Sequence, residues 1–361
     1  MTTTASPAWR ERRAARAVPW TRLAWVSWRQ HRAALAGAVA LLGAIAVYLA
    51  ITGRHIHQAY NAYAACLAAF PQAAAGSGQG GLYAGCAPSG RAFLPFYGTT
   101  SGPVGASGLN AQSVPFMLLA VPVLLGAFVG APVLARELES GTFRFAWTQG
   151  AGRLRLAAAR LIPLAVLLTA AAYGLSALFS WYFTPFFRFG NTGGYPMQLF
   201  GNLGTDFAAW TLFSFTLAAF LGVLLRRAVA ATALALAVTT VLDVVTMLAL
   251  RQHYATPATV SGAGPTGVGD WVLGHWFTNP SGAQVSVNTV DTLFAQSQGG
   301  HVGLLPPALT AWAAQNHYTQ WWSYQPAARW WQLQLTESAW LLAVSLLLIT
   351  ATILLIRRRP A

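Results

Sequence analysis

The chain has 361 residues, of which 55% are hydrophobic and only 8% are charged, whereas about 25% of the residues of a soluble domain are charged. Its basic residues are all arginine, and 22 of them against 8 acids give a formal net charge of +14. Because the chain has no lysine, it has no lysine-containing phosphate-binding loop and does not bind ATP in that way. The composition indicates one polytopic membrane domain rather than two soluble domains.

Six stretches are apolar for about 20 residues, the length that a helix needs to cross a hydrocarbon core about 30 Å thick. We therefore predict an all-α polytopic membrane protein, with residues 1–32 as an N-terminal segment and residues 33–361 as a six-span domain. The predicted spans are 33–52, 114–135, 161–183, 207–225, 228–250 and 338–356. Their only charged residue is Asp243.

Most arginines lie in segments that are on the inner side if the N-terminus is inside, and the short outer loop 184–206 has only Arg188. Positively charged loops stay in the cytoplasm, so we predict that both termini are cytoplasmic. The arginine strips beside the spans set this orientation and contact anionic lipid head groups, so no nucleic-acid partner is predicted. A cleavable signal peptide is not predicted either, because 32 residues precede the first apolar run.

The segment 20–32 is predicted to form an amphipathic surface helix that runs into the first span. At 100° per residue, one arc is apolar and holds Trp20, Leu23, Ala24 and Trp28. The opposite arc holds Arg22, Arg29 and Arg32. A basic helix with tryptophan on its apolar face lies in the plane of the membrane interface. A topology signal without a mechanical role is the alternative.

The first predicted outer loop, 53–113, contains the only two cysteines, Cys66 and Cys86. Because this loop faces the oxidising side of the membrane, we expect a disulfide between them, and two unpaired thiols are the alternative. Closing a loop of about 20 residues contributes roughly 3 kcal/mol in the chain-entropy model. His55 and His57 have no acid or cysteine nearby at metal-ligand spacing, so no metal site is predicted.

The predicted inner segment 136–160 carries two of the chain's eight acids, Glu137 and Glu139. A Ser-Gly-Thr break follows, and then a run of aromatic and basic residues. We interpret this segment as two short exposed helices interrupted at Gly141, suited to docking on another protein. A plain connector is the alternative.

Several polar residues inside the predicted spans are candidates for a substrate path. The charged one is Asp243, because an ionisable group in a span usually faces a cavity or a partner; it is accompanied by Thr239, Thr240 and Thr246. Alternatively, Asp243 reaches the interface or pairs with Arg251. The third and fourth spans offer Ser176, Ser180, Trp210 and Ser214, which suit helix–helix contacts in lipid equally well.

The second long outer loop, 251–337, is rich in tryptophan. Loops of this length are rarely structureless, and tryptophan is enriched at the membrane interface. We therefore expect part of this loop to lie on the outer leaflet or to pack as an ordered cap over the spans. A gate for substrate is the alternative.

Several stretches, in order, resemble the membrane subunits of ABC-type exporters of the second exporter class, in particular an actinobacterial permease group. They are Trp-Arg-Gln-His-Arg at 28–32, PVLLGAFVGAPVLARELESGT at 122–142, Arg-Gln-His-Tyr at 251–254 with Pro257, and Tyr-Gln-Pro-Ala-Ala-Arg-Trp at 324–330 with Gln334 and Glu337. Three arginines at 357–359 close the last span. The similarity covers essentially the whole chain and is least distinctive in the first outer loop.

The resemblance implies that the chain is an export permease of a bacterial plasma membrane and that segment 20–32 is its elbow helix. An apolar path is compatible with a hydrophobic or amphipathic substrate. The resemblance also implies that segment 136–160 contains a coupling helix for a separate phosphate-loop ATPase, with Arg136, Glu137, Glu139, Gly141, Thr142 and Arg144 as the coupling residues. ATP and Mg²⁺ would then bind to that partner, and the chain itself would be a transport subunit without a cofactor. The implied working unit has two ATPase subunits and two permeases, identical or paralogous.

Other classes of membrane protein fit the sequence less well. A membrane haem protein needs axial histidines inside the spans, and none of the seven histidines lies there. A secondary transporter is the main alternative, although its typical inverted repeats and broken helices are not evident. A non-transporting sensor or assembly partner is a further alternative.

Overall fold

The computed structural model describes residues 20–70, 86–97, 113–140, 153–189, 197–262, 264–265, 270–297 and 306–358. The described chain is mostly helical. Its α-helices are α1 Trp20–Ala69, α2 Ala87–Tyr97, α3 Ser113–Ser140, α4 Arg153–Phe189, α5 Asp206–Leu225, α6 Ala228–Val245, α7 Val287–Ser297, α8 Pro306–Gln315 and α9 Trp330–Arg358. Short 3-10 helices, Met197–Asn202 and Ala327–Arg329, precede α5 and α9.

Six helices in the described residues are long and apolar enough to cross a membrane, namely α1, α3, α4, α5, α6 and α9. This confirms the predicted six-span, mainly helical fold class. Each predicted span lies within one of these helices, α6 together with its π-helical end. The helices extend beyond the predicted spans, because an α-helix continues past the hydrocarbon as long as its backbone hydrogen bonds and local contacts hold.

The helix α1 is the longest element, with 50 residues. At about 1.5 Å per residue it extends roughly 75 Å, more than twice the thickness of a hydrocarbon core. It continues without a break from the predicted elbow at Trp20, through the predicted first span, to Ala69 in the predicted outer loop. The position of its first turns in the membrane interface stays a prediction.

The helices α3 and α5 form the centre of the bundle and are its most buried spans. Their backbones approach closely because α3 has glycine at the contact. A Cβ atom at Gly126 would overlap with Ser214, and one at Gly130 would overlap with the carbonyl oxygen of Phe215. Small residues at such crossings let helices pack closely in a membrane. The spans α6 and α9 pack against this pair, α1 packs mainly on α4, and few residues of these three spans are buried.

A disulfide joins Cys66, in the last turn of α1, to Cys86, directly before α2, and their Cα atoms are 5.9 Å apart. The disulfide expected from the sequence is therefore present. It holds α2 against α1, where Phe93 of α2 packs on Phe186 of α4 with ring centroids 5.4 Å apart. Phe93 is fully buried and also contacts Tyr60 of α1, with ring centroids 5.8 Å apart, so this short helix is held by the disulfide and by aromatic contacts to α1 and α4.

Between α6 and α9 lies a small antiparallel sheet that the sequence analysis did not predict. Its strands are β1 Ala258–Ser261, β2 Trp271–Thr278, β3 Gln284–Val285 and β4 Thr319–Gln325, in the order β1-β4-β2-β3. The helices α7 and α8 pack on it around Phe277, Val290 and Ala313. Its tryptophans pair across strands, as Trp276 does with Trp321. The long loop is thus ordered in these parts, and its predicted position over the spans stays a prediction.

Candidate functional site

Four charged side chains gather at one end of the bundle, where α5 begins, α6 ends and α9 begins. Asp206 is the first residue of α5 and Glu337 lies at the end of the second turn of α9, and both are fully buried. Arg251 follows α6 and is 2% exposed. The Asp243 side chain, in α6, is 19% exposed. We call these four residues the ion network.

The backbone that presents Arg251 is irregular. The helix α6 ends in a π turn, Thr246–Leu250, which is followed by a 3-10 turn, Arg251–His253. A π turn inserts a residue into a helix and so changes the direction of the side chains beyond it, and such turns are frequent at functional sites. Here the irregular end directs Arg251 into the bundle rather than toward its surface.

The strongest contact in the ion network joins Arg251 to Glu337. The guanidinium donates from Nε to Oε2 at 2.8 Å and from Nη2 to Oε1 at 2.7 Å. This bidentate geometry matches the planar fork of arginine to both carboxylate oxygens, and charge-assisted bonds of this kind are about twice as strong as neutral ones. It joins the end of α6 to the beginning of α9.

The two aspartates lie on the other side of the same guanidinium. Nη2 of Arg251 donates to Oδ2 of Asp206 at 3.2 Å, and it lies 3.9 Å from Oδ1 of Asp243. Asp206 also occupies the first turn of α5, where the helix dipole favours a negative charge. One guanidinium therefore faces three carboxyl groups from three helices, and it is the only basic side chain among the described residues that contacts them.

Neutral side chains complete the shell around Glu337. Nε1 of Trp210 donates to Oε1 of Glu337 at 2.9 Å. Gln334 accepts from the backbone N–H of Asp206 at 3.1 Å and donates to the carbonyl oxygen of Phe200 at 3.0 Å. The guanidinium of Arg251 also lies 4.7 Å from the centroid of the Phe200 ring, within the range of a cation–π contact.

Tyr254 extends this shell beyond the end of α6. Its hydroxyl oxygen accepts from Nε1 of Trp340 at 3.0 Å. Burial raises the pKa of the Tyr254 hydroxyl, and the nearby negative charge of Glu337 raises it further. Tyr254 therefore stays neutral and can serve as a hydrogen-bonding partner at any physiological pH.

The arrangement can hold helices together by charge. No group of three or more His, Cys, Asp or Glu side chains among the described residues is placed to bind a metal ion. Breaking a buried ion pair by removing one partner costs about 3–5 kcal/mol, because the other charge stays buried without compensation. The ion network therefore stabilises the contact of α5, α6 and α9, and this stabilisation depends on Arg251.

The polar residues predicted for a substrate path do not gather in one place. Asp243 belongs to the ion network, so the alternative that pairs it with Arg251 agrees with their 3.9 Å separation. Thr239 and Thr246 are buried on the same face of α6 as Asp243, whereas Thr240 is exposed on another face. Trp210 also belongs to the shell of the network.

The remaining predicted path residues bind backbone carbonyls. Ser214 donates from α5 to the carbonyl oxygen of Val123 in α3 at 3.1 Å. Ser176 donates to the carbonyl oxygen of Asn202 at 2.9 Å, and Ser180 to that of Ser176 at 2.9 Å. Ser214 thus stabilises a helix contact, while Ser176 and Ser180 lie on α4, in a different part of the bundle.

Sequence reasoning missed Asp206, Arg251 and Glu337 as a site. Two predicted spans begin at 207 and 338, and one ends at 250. Each boundary lies one residue short of one of these charges, because a hydropathy criterion stops where a charge begins. The signal that could have revealed them is the coincidence of three isolated charges at three span ends on one side. Asp243, about two turns before the end of the predicted fifth span, was the only residue of the network that hydropathy placed inside a span.

The other end of the bundle holds the described coupling residues. Glu137, in the last turns of α3, forms an ion pair with Arg160 of α4, which is 3% exposed. Oε2 of Glu139 accepts from the backbone N–H of Ala228, at the start of α6, at 3.2 Å. Arg136 is exposed. Both glutamates therefore connect α3 to neighbouring spans of the same chain.

Some predicted site residues lie outside the part of the chain that the structure describes. In the coupling segment these are Gly141, Thr142 and Arg144. In the elbow, the backbone of α1 is described, but the side chains of Trp20, Leu23, Trp28 and Arg29 are not, and Arg32 is exposed. The roles predicted for these residues stay predictions.

Comparison with known proteins gives one match. The model of a family described as ABC-2 membrane transporter related matches residues 39–251, which is more than half of the chain. The matched part begins within α1 and ends at Arg251, so it contains three of the four residues of the ion network. No curated protein and no solved structure matches the chain.

Proposed function

The chain belongs to the ABC-2 membrane transporter related family, and we propose that it is the permease of an exporter driven by a separate ATPase. The family and the six apolar helices make it a multi-pass membrane protein and the membrane subunit of an ABC transporter. Coupling to ATP, the direction of transport and the partner are proposals. The actinobacterial origin of the resemblance stays an expectation.

One observation carries the coupling proposal: the end of α3 is bound to two other spans. Glu137 is paired with Arg160 of α4, and Glu139 binds the N-terminus of α6. A partner that moves segment 136–160 would therefore move α3, α4 and α6 together. Because α3 is packed against α5 at the centre of the bundle, the movement would reach the ion network through rigid helices. ATP binding in the partner would then shift the population between inward-open and outward-open states.

The proposed working unit contains two permeases and two ATPase subunits. The ATPase would supply the lysine-containing phosphate loop and bind ATP and Mg²⁺, since this chain has no lysine. The exposed apolar faces of α1, α6 and α9 would contact lipid and the second permease. With both termini in the cytoplasm of a bacterium, the ion network would lie at the outer face of the plasma membrane.

The proposed substrate is hydrophobic or amphipathic. Asp243, Thr239 and Thr246 share a face of α6 and are the best-supported part of the proposed path, because Asp243 is the most accessible member of the ion network. The elbow at the start of α1 would lie along the inner leaflet and support the same conformational change.

The ATPase partner can be tested by purification from native membranes in a mild detergent. We expect a phosphate-loop ATPase to co-purify and to hydrolyse ATP. Substitution of Glu137 or Glu139 disturbs contacts within the chain, so the exposed Arg136 gives a sharper test. We expect Arg136→Glu to reduce the bound ATPase strongly, while the control Arg357→Glu, an exposed arginine in the last turn of α9, retains it.

Transport in vesicles distinguishes the alternatives. If a purified chain without an ATPase moves substrate on a proton or sodium gradient, it is a secondary transporter, and the proposal is wrong. A chain that neither binds an ATPase nor transports any substrate would be a membrane sensor or assembly partner.

A further inference from the structure

A cavity of about 350 Å³ lies between α4, the segment before α5 and the beginning of α9. Four of its lining side chains are aromatic: Tyr173, Phe187, Trp330 and Trp331. Its volume is at the lower end of the range of about 300–1,000 Å³ found for small-molecule sites. None of its described lining residues belongs to α6, although Ser176 and Ser180 of the predicted path line it.

The cavity is reachable from the membrane. Tyr173 is 51% exposed and Trp331 is 58% exposed. Ala177, one turn after Tyr173 on α4, is exposed as well. Residues four apart lie on one face of a helix, and an exposed face of a spanning helix contacts lipid. A molecule dissolved in the bilayer can therefore reach the rings without crossing water.

Two hydroxyls of the lining, those of Ser180 and Thr184, offer acceptors. The hydroxyl of Ser180 donates its hydrogen to the carbonyl oxygen of Ser176 at 2.9 Å, and that of Thr184 donates to the carbonyl oxygen of Ser180 at 2.8 Å. A hydroxyl has one hydrogen and two lone pairs. Each of these oxygens can therefore still accept a hydrogen bond, but it has no hydrogen left to donate. The ligand group that suits them is a donor or a positive charge.

The charges around the cavity favour a cation. None of the described lining side chains is charged. Behind the wall, Trp330 packs on Phe200 with ring centroids 5.0 Å apart, and Arg251 lies on Phe200. That arginine faces three carboxyl groups of the ion network, so the background charge behind the wall is not positive.

Gly204 gives the cavity its shape. Its φ of +69° lies in the left-handed region, and a Cβ atom there would lie 2.8 Å from Oε1 of Gln334. Any other residue would therefore be strained and would displace Gln334, which binds the N-terminus of α5. The backbone can follow the cavity wall at this point only because the residue is glycine.

We propose that this cavity binds an amphipathic organic cation from the membrane, with the ammonium group between the aromatic rings and the apolar part toward lipid. Aromatic rings that surround a site attract quaternary ammonium groups through their negative faces. The proposal concerns binding to this chain alone, so it does not depend on an ATPase partner.

The test uses the full chain in a neutral maltoside detergent and a pair of probes of equal shape. Benzyltrimethylammonium is the cation, and neopentylbenzene is its uncharged carbon isostere. Binding is measured by ligand-observed NMR titration, with protein-free micelles subtracted. We expect the cation to bind at least about tenfold more tightly than the isostere, a difference of about 1.4 kcal/mol, since aromatic faces attract the cation and not its uncharged isostere.

Variants assign that binding to the cavity. We expect Tyr173→Ala and Trp331→Ala each to weaken cation binding about five- to tenfold, and Trp331→Phe to retain part of it. The controls Leu167→Ala on α4 and Leu335→Ala on α9 remove exposed side chains that do not line the cavity, so they should bind normally. Equal binding of both probes, or unchanged binding in Tyr173→Ala and Trp331→Ala, would overturn the proposal and leave the exporter proposal untouched.

Discussion

Replacing Arg251 by leucine is the most direct perturbation of the ion network. The substitution removes three hydrogen bonds to Glu337 and Asp206 and leaves both carboxylates buried without a counter-charge. Because the loss of one partner of a buried ion pair costs about 3–5 kcal/mol, we expect Arg251→Leu to lower the free energy of unfolding by at least that amount. Asp243 keeps part of its solvation because it is partly exposed.

The double variant Arg251→Leu/Glu337→Leu distinguishes the cost of an unpaired buried charge from the cost of changing the side-chain shapes. It removes the strongest pair together, and replacing both members of a buried pair by apolar residues is far less costly than breaking it. We therefore expect the double variant to be more stable than Arg251→Leu alone, by about 2 kcal/mol, although Asp206 stays without its guanidinium.

The assay is equilibrium unfolding of the purified chain in mixed micelles, followed by circular dichroism, with the thermal midpoint as a second measurement. The control is Arg54→Leu, which removes an exposed arginine from α1 and should change the stability by less than about 0.5 kcal/mol. If Arg251→Leu is as stable as this control, or if the double variant is no more stable than the single one, the ion network does not stabilise the helix contacts as described above.

Three further substitutions test other contacts. Gly126→Val should separate α3 from α5 and cost several kcal/mol in unfolding measurements, since larger side chains do not fit at a close crossing, whereas Gly43→Val, which meets nothing within 4 Å, should have a small effect; equal effects would contradict the close packing. Trp210→Phe removes the donor to Glu337 and should destabilise by about 1.5–3 kcal/mol, as for other hydrogen bonds to charged groups; no loss would show that the bond is dispensable. Asp243→Asn should insert normally and lower substrate-stimulated transport, and normal transport at normal expression would remove Asp243 from the proposed path.

The six spans could be predicted because lipid imposes a length and a composition that a sequence shows directly. Each predicted span lies inside a helix, from α1 to α9. The lengths of the helices could not be predicted in the same way. The helix α1 extends to Ala69 because Cys66 and the aromatic contacts of α2 hold its last turns, and these contacts join residues far apart in the sequence.

The sheet between α6 and α9 was not predicted for a different reason. The strands β2 and β4 are short and rich in tryptophan, with sequences WVLGHWFT and TQWWSYQ. In a membrane protein tryptophan is expected at the interface. The prediction used that expectation and did not consider that tryptophan is also enriched in strands. In the sheet, Trp322 stacks on His275 with ring centroids 4.6 Å apart, so part of the aromatic surface is used within the sheet.

The candidate site was predictable only in part. Asp243 stood out because it is a charge within a span, and its neighbour Arg251 was an alternative partner from the start. Glu337 was noted only as part of the family resemblance and Asp206 only as the end of an outer loop, because hydropathy has no information about which span ends meet in space. Their distances in sequence from Arg251, 45 and 86 residues, are set by tertiary packing alone.

These sequence distances also matter while the chain is being synthesised. Arg251 leaves the ribosome with Asp206 already made, but Glu337 follows 86 residues later. At about 5–20 residues per second this is a delay of roughly 4–17 s. During that time Asp206 and Asp243 are the only carboxylates of the network that have been synthesised. Only these two aspartates are then available to balance the charge of Arg251. The helix α9, the last of the described helices, then supplies Glu337, the bidentate partner of Arg251.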